Sequence, residues 1–577
     1  MIVYRNYKQT INTIQKIETI EKMVNTAIPT RSDFYDLIVS LLIECGELET
    51  GITDFYCDKK DTVNQLISIC RKNSILAGSI LNSICSNGVF QLDRMIEIKT
   101  NLCLIKSIHF PAKISLNVPE GFVYYGLYPE IYLESTSIFF EEIKPENIMV
   151  VGLRSIGTPL SALVAARLET EGCNVKTLTI RPKGHPYNRF PDFDDKIRNI
   201  LQGCVSYYVI VVDEGPGLSG SSIGGTLSAL RLNGIDLNRT VVFPSWVPSG
   251  DQFISENSRN LWQNCKKFCG SFEKQWILNG KLEKNLQKKI ICDLSAGMWR
   301  GRFLDDRLSY PPVHPHHEKR KYLLTDKDEK SLSLWVAKFC GLGKYGSENV
   351  LRADKISSMG YSPVVKKLSS GFAVMEYVPG KIVRKSDVDE KMIEFVKDYL
   401  MFINKSLSVP LQVSFDQMLE MIFVNIEEGL GGKWYKKSDR LKRLPCSLYE
   451  DGVVSIDGHM MPHDFLITEN GIIKVDHIEH HNDQFFHGPQ NICWDIAGFF
   501  MEFELDRNRR NHFLQYFSIM DPFIIQRQSF FNVAYLAYRL GYVTLAADYL
   551  RGGTDGIGFE HLKEKYCTLL KIELSEL

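Results

Sequence analysis

The run from Tyr207 to Leu230, YYVIVVDEGPGLSGSSIGGTLSAL, constrains the fold more than any other stretch of this chain. It opens on apolar and aromatic residues that predict a buried strand. Asp213 and Glu214 then arrive together, where an interior would not hold them. A bend of Gly, Pro and Ser follows, and after it an apolar stretch that predicts a helix. Paired carboxylates at a strand's end suit the vicinal hydroxyls of a ribose. A loop of small residues entering a helix leaves backbone N–H groups turned toward a phosphate. The two features together describe a pocket for a ribose 5-phosphate.

Ile148 to Leu168, IMVVGLRSIGTPLSALVAARL, repeats the pattern: apolar strand, Gly-bearing loop, helix. Repeated units of this kind predict an α/β fold with a parallel sheet and ligands at the strands' carboxyl ends. Over about residues 120–265 the chain resembles the type I phosphoribosyltransferases. The resemblance implies that Asp213 and Glu214 hold the ribose of phosphoribosyl pyrophosphate (PRPP) and share Mg²⁺ with its diphosphate. Gly217, Ser219, Gly220, Ser221 and Ser222 would grip the 5-phosphate. Arg154, Ser155 and Gly157 would meet the diphosphate, and Asp213, Glu214 and Arg154 would be catalytic. Arg181, Lys183, His185 and Arg189 occupy the place of the family's mobile hood. Here Gly215-Pro216-Gly217-Leu218 precedes the serines, about one residue more than the family's loop carries.

Before these units, Phe34, Leu37, Ile38, Leu41, Leu42, Cys45 and Leu48 recur at helical spacing, and Ser32 and Asp33 stand where a cap belongs. Thr10 to about Asn101 therefore reads as a helical appendage for packing or self-association. Glu44, Glu47 and Glu49 read as its solvated acidic face. The aromatic, Pro- and Gly-punctuated text from Pro111 to Glu142 predicts strands and turns. Its Tyr124, Tyr125, Tyr128 and Tyr132 read as packing residues, with a base-binding pocket as the alternative.

Beyond Gly301 the run Pro311-Pro312-Val313-His314-Pro315-His316-His317 breaks the pattern and reads as a linker. Lys321–Leu324 and Leu332–Phe339 predict paired strands, the second carrying Lys338. The hinge-like run Gly371 to Gly380 contains Glu376 and Val378. Further on come Asp457-Gly458-His459, Met461-Pro462-His463-Asp464, Ile473-Lys474-Val475-Asp476 and Trp494-Asp495-Ile496-Ala497-Gly498. In this order they resemble the aminoglycoside phosphotransferase and choline kinase group. The resemblance implies ATP held by Lys338, Glu376 and Val378, Mg²⁺ on Asp464 and Asp476, and Asp495 bracing the catalytic loop. His459 stands where that group has its catalytic aspartate; a neutral imidazole accepts protons near pH 7. Thr325-Asp326-Lys327-Asp328-Glu329, before Lys338, lacks the glycines of a phosphate loop. Glu479, His480, His481, Asp483 and His487 read as a solvated loop.

The chain is thus expected to be an α/β multidomain protein. Residues 1–110 form a helical region, 111–300 a phosphoribosyltransferase-like domain, 301–318 a linker and 319–577 a bilobal kinase-like domain. Its 577 residues exceed one hydrophobic core. A formal net charge of −1 gives no field that would favour nucleic acid or an anionic membrane. Fourteen cysteines without a paired framework, and an amino terminus without an apolar signal core, point to the cytoplasm. The expected function is phosphoribosyl transfer from PRPP to an unidentified small molecule, with ATP-dependent phosphorylation of a related substrate. The alternative is a non-catalytic regulator that senses PRPP and ATP. A homo-oligomer through the helical front is compatible with either.

Overall fold

The computed structural model describes residues 1–5, 7–29, 33–217, 219–251, 253–304, 306–307, 310–327, 333–486 and 488–576. Ser32, Leu218, Asp328, Glu329, Leu332 and His487 fall outside these, so the expectations placed on them are not addressed further. No described helix is long and apolar enough to cross a membrane.

Strand β1 (Lys8–Asn12) pairs antiparallel with β2 (Lys113–Asn117) and brackets helices α1 (Thr13–Thr26), α2 (Phe34–Tyr56), α3 (Gln65–Asn87) and α4 (Leu92–Ser107). The front is therefore helical, except that Lys8–Asn12 alternates in burial and is a strand. It is no appendage. At Gly78 of α3 a Cβ would stand 2.9 Å from the Leu163 Cα, so the absent side chain lets this helix lie directly on the sheet domain. Nor is the acidic face solvated: Glu44, Glu47 and Glu49 are all buried. The segment expected as strands up to Glu142 is instead helix α5 (Glu130–Ile143) over most of its second half. Tyr132, Thr136 and Phe139 fall on one buried face at helical spacing.

The parallel sheet forms as the apolar runs predict. Its elements are β3 (Asn147–Leu153), α6 (Gly157–Thr170), β4 (Asn174–Ile180), the hairpin β5 (Lys183–His185) and β6 (Asn188–Phe190), α7 (Asp195–Gln202), β7 (Tyr208–Val212), α8 (Ser221–Leu232), β8 (Thr240–Phe243), α9 (Glu256–Asn264) and β9 (Lys266–Lys267). Strand order is β4-β3-β7-β8-β9, all parallel. Strands β3, β7 and β8 are almost wholly buried, as central strands covered on both faces must be. The chain leaves β3 toward one edge and β7 toward the other. Between their carboxyl ends the two connections part, and a crevice opens there.

A second sheet follows helix α10 (Lys281–Leu286). It contains β10 (Lys288–Asp293), then, after the short helix α11 (Trp299–Phe303), β11 (Lys321–Asp326), β12 (Leu334–Phe339), helix α12 (Lys344–Ser357), β13 (Val365–Ser369) and β14 (Phe372–Glu376). The order is β10-β11-β12-β14-β13, and every pairing is antiparallel. This corrects the expected linker. Residues 301–318 do not separate two domains; they lie inside a loop joining the first two strands of one sheet, because Lys288–Asp293 pairs with Tyr322–Asp326. A helical lobe completes the chain, with long helices at Phe415–Leu430, Ile524–Tyr549 and Thr554–Glu576 and a hairpin at Phe465–Thr468 and Gly471–Lys474.

The cores cross the expected boundaries. One cluster runs from Ile38 and Leu81 in the front helices through Ile148 and Val212 of the parallel sheet to Tyr322, Phe339 and Phe372 of the antiparallel sheet. The other face of the parallel sheet and the helical lobe have their own clusters. The front helices, the parallel sheet and the antiparallel sheet are therefore one packed body.

Candidate functional site

Two cavities stand at the places the sequence singles out. The larger, about 1510 Å³, opens over the carboxyl ends of β3 and β7. Asp213 and Glu214 reach it half-buried, and among the described residues neither forms an ion pair. The Asp213 carbonyl accepts from the Tyr132 hydroxyl at 2.7 Å. Glu214 Oε2 accepts from the Gly121 N–H at 3.0 Å. Burial pushes the Asp213 carboxyl up to about 6. Glu214 is pushed well above the carboxylate range by burial, then by Glu120 and Asp213 beside it.

The serine bend leads into α8 as expected. Gly220 takes a left-handed φ of 60°, and a Cβ there would meet Phe253 at 2.4 Å, so only glycine serves. The N-cap of α8, Gly220, has no side chain to cap it, and the Ser221 N–H donates to Ser219 Oγ at 3.3 Å. The hood folds over this bend: Ser219 and Ser221 both donate to the Pro186 carbonyl, at 3.0 and 2.6 Å, and Arg189 Nη1 donates to Ser222 Oγ at 3.2 Å. Ser155, in the loop after β3, has φ 127°, a strained conformation of the kind kept at ligand loops. Gly157 opens α6 against the Val212 carbonyl, which a Cβ would approach to 2.6 Å.

The basic residues are placed otherwise than expected. The Arg154 side chain has no exposure and is paired with Asp54 and Asp61. Arg154 borders the cavity, with its guanidinium turned to these two carboxylates. Arg181 makes a two-point bond to the same Asp54, at 2.8 and 2.5 Å. Lys183 donates to the Cys57 and Asp58 carbonyls. His185 Nδ1 accepts from the Tyr187 N–H at 3.3 Å. Of the four expected hood groups, Arg181 and Arg189 line the cavity, and Arg189 bonds the serine bend. Arg5 and Arg320, which the sequence did not single out, line the same cavity. Tyr124 and Tyr125 also line it, whereas Tyr128 and Tyr132 are core residues.

The second cavity, about 960 Å³, lies between the antiparallel sheet and the helical lobe. Lys338, Glu376, Val378, His459, Asp464 and Asp476 all line it. Glu376 and Val378 flank Tyr377, whose N–H is taken by the Leu334 carbonyl at 3.0 Å. Lys338 is buried in ion pairs with Asp476 and, at 2.6 Å, Glu479. Burial works against its charge, and the two carboxylates outweigh that and hold it protonated. His459 Nδ1 stands 2.7 Å from Asp464 Oδ2, and its ring stacks on His480 at 4.4 Å. Asp464 also faces the buried Lys474 at 3.5 Å. Burial works against the Asp464 charge, yet His459 and Lys474 hold that carboxyl far below its usual value. Asp495 accepts from the N–H groups of Asp457 and Gly458 at 2.6 and 2.9 Å, bracing the loop that carries His459.

The stretch after Asp476 is not a solvated loop. Glu479 and Asp483 are buried, and ligand atoms of Asp476, Glu479 and His480 lie within 4.8 Å of one another. Asp476 is thus grouped with Glu479 and His480, around the Lys338 ammonium, while Asp464 faces His459. The sequence signal was the i, i+3, i+4 spacing of those three. The described part of the chain between β10 and β11 carries Trp299 and Phe303 to this cavity. From there Trp299 stacks on His463 at 5.4 Å and Phe303 on Tyr377 at 5.9 Å, so the loop spans the cleft's mouth.

No protein-family model matches the chain. No curated protein matches it. Among solved structures it is similar to choline kinase LicA from Streptococcus pneumoniae, at 15% identity and a TM-score of 0.32, over 44% of this chain and 90% of that one. A choline/ethanolamine kinase family protein from Mesorhizobium loti is similar at 12% identity and a TM-score of 0.32, over 48% and 97% of the two chains. Choline kinase from Cryptosporidium parvum is similar at 13% identity and a TM-score of 0.31, over 48% and 96%.

Proposed function

We propose that the larger cavity binds PRPP and transfers its phosphoribosyl group to a small acceptor, and that the second cavity binds ATP and phosphorylates a hydroxyl. The observation that supports the first part most is the pair Asp213 and Glu214. They stand without ion-pair partners at the point where the sheet's connections diverge, between strained Ser155 and the serine bend. Their oxygens would hold the ribose hydroxyls. The amides at the start of α8, with Ser219, Ser221 and Ser222, would take the 5-phosphate once the hood's Pro186 carbonyl lifts from them. Oxygen donors without a cationic partner fit Mg²⁺. When bound, the ion would neutralise the departing diphosphate. Arg189, Arg5 and Arg320 are the chain's own positive groups for that charge.

In the second cavity Lys338 would pair with nucleotide phosphates, and the strand end at Glu376 to Val378 would meet the base. The carboxylates of Asp476 and Glu479 fit a divalent cation carrying those phosphates. His459, fixed through Nδ1 by Asp464, leaves Nε2 to accept the proton of the substrate hydroxyl.

Calorimetry tests the leading claim. PRPP with Mg²⁺ should bind the native protein and fail to bind Asp213→Asn/Glu214→Gln, which should melt no lower than native. Equal affinity in the double variant removes the claim. One observation favours the non-catalytic alternative: Arg154, Arg181 and Lys183 are all committed to internal bonds. Tight PRPP binding without diphosphate release, across a panel of bases and amines, would select it.

A further inference from the structure

His314, His317, Glu318 and Tyr542 line both cavities. The partition between the two sites is therefore one side chain thick. It is built from the loop 294–320 and one face of the helix Ile524–Tyr549. The imidazoles of His314 and His317 stack at 3.7 Å, and His317 Nδ1 lies 3.2 Å from the Tyr542 hydroxyl. Glu318 is held by the Gly297 N–H at 2.7 Å and Trp299 Nε1 at 2.9 Å. These are side-chain contacts, not paired strands, so the partition can part without breaking the sheet.

The charges beside it alternate. Lys319 and Lys321 line the smaller cavity and Arg320 the larger. They enter or begin β11, where successive side chains point to opposite faces. One stretch of chain thus sets cations on both sides of the partition, paired with Asp483, Glu273 and Asp476 at 3.8, 3.1 and 3.8 Å, and a phosphorylated compound passing across would compete for them.

Resting on the function proposed above, we propose that the two cavities work in sequence on one compound: the phosphoribosylated product of the larger passes across the His314–His317 partition and is phosphorylated in the smaller. In the first step the acceptor's heteroatom bonds to the anomeric carbon of PRPP, the carbon–oxygen bond to diphosphate breaks, and diphosphate leaves with the electron pair. The acceptor's proton goes to water. In the second step a hydroxyl oxygen of that product bonds to the γ-phosphorus of ATP. The bond to ADP breaks, ADP keeps its electron pair, and the hydroxyl proton passes to His459 Nε2. The transferred ribose itself supplies hydroxyls for this step.

The test supplies ribose-carbon-13 PRPP and γ-phosphoryl-oxygen-18 ATP, with Mg²⁺ and a small-molecule cell extract, to the full-length protein. Mass spectrometry should find both labels in one product. Labels confined to separate products overturn the inference while leaving both activities standing. No carbon-13 product at all overturns the PRPP reading and this inference with it. Passage across the partition is read in the native protein by dilution. Asp476→Ala should accumulate the ribosylated intermediate; that compound, unlabelled and in about tenfold excess over the enzyme's own output, should lower carbon-13 in the final product by less than about twofold. Full dilution means release to water and overturns the handover.

Discussion

Arg154 Nε donates to Asp54 Oδ1 at 2.7 Å, and the same guanidinium is paired with Asp61, itself 2% exposed. A residue expected to face the diphosphate is thus part of the joint between α2 and the loop after β3. Removing one partner of a buried pair leaves an uncompensated charge, at about 3–5 kcal/mol. Asp61→Asn should therefore lower stability by about that amount in urea unfolding. Arg154→Met should be destabilised as well, yet bind PRPP within about twofold of native under conditions where it stays folded, because its unexposed guanidinium is already held by Asp54 and Asp61. A large loss of affinity in the folded variant would return Arg154 to the site.

Asp213 gives a pH signature. Its folded carboxyl is raised to about 6, chiefly by burial, above the unfolded value near 3.9. The folded state then binds more protons than the unfolded one between these values, so this group favours folding below pH 4 and that contribution is lost as pH rises through about 6. Asp213→Asn removes the term. Its melting temperature should equal native near pH 4 and exceed it above pH 7. Mg²⁺ with PRPP should raise the native melting temperature and leave the variant unmoved. A variant less stable than native at pH 7 would show that the carboxylate has a partner in the fold.

Glu47 ties the front helices to the antiparallel sheet's helix α12. It accepts from Lys344 at 2.7 Å, from the Tyr345 hydroxyl at 2.5 Å, and from Lys16. Burial raises its carboxyl, but Lys16 and Lys344 outweigh this and bring it to about 2. A depressed folded value contributes stability above the unfolded pKa that is lost as pH falls from about 4.3 toward 2. Glu47→Gln should cost about 3 kcal/mol and flatten the acid limb of the stability profile. Amide exchange should quicken in residues 344–357. Unchanged exchange there would mean that packing, not this ion cluster, positions α12.

These residues also show what was legible. Local features read well: the apolar runs became β3, β7 and β8, and Asp213, the serine bend, Lys338, His459 and Asp495 all reached the cavities or loops their motifs assign. What failed was long-range. Nothing near Arg154 in sequence announces Asp54 and Asp61, which lie about a hundred residues away, so a buried brace read as an anion contact. Glu44 and Glu47 looked solvated because their lysine partners sit in α1 and α12. The 301–318 stretch read as a linker because the pairing of Lys288–Asp293 with Tyr322–Asp326, which encloses it in one sheet, joins residues about thirty apart.

The partition offers a titration of its own. Burial first, then neighbouring imidazoles, lower His314 to about 4 and His317 to about 3. His316 faces both; Asp483 and Lys319 face His317, the carboxylate raising it and the ammonium lowering it. Both rings are neutral in the folded protein at pH 7. The unfolded chain takes up these protons near its ordinary value of about 6.5, so between that value and the folded ones it binds more protons than the native state. Stability must then fall as pH drops below about 6.5, and go on falling until the folded rings themselves titrate. A His314→Phe/His317→Phe protein keeps two stacked rings that cannot titrate. Near pH 7.5 it should lie within about 1 kcal/mol of native, the worth of the lost Tyr542 hydrogen bond. By pH 5 it should be the more stable of the two, and the gap in melting temperature should widen steadily over that interval. Parallel curves from pH 7.5 to 5 would mean that the native rings take up protons as readily as the unfolded chain does, and that the wall between the cavities is wet.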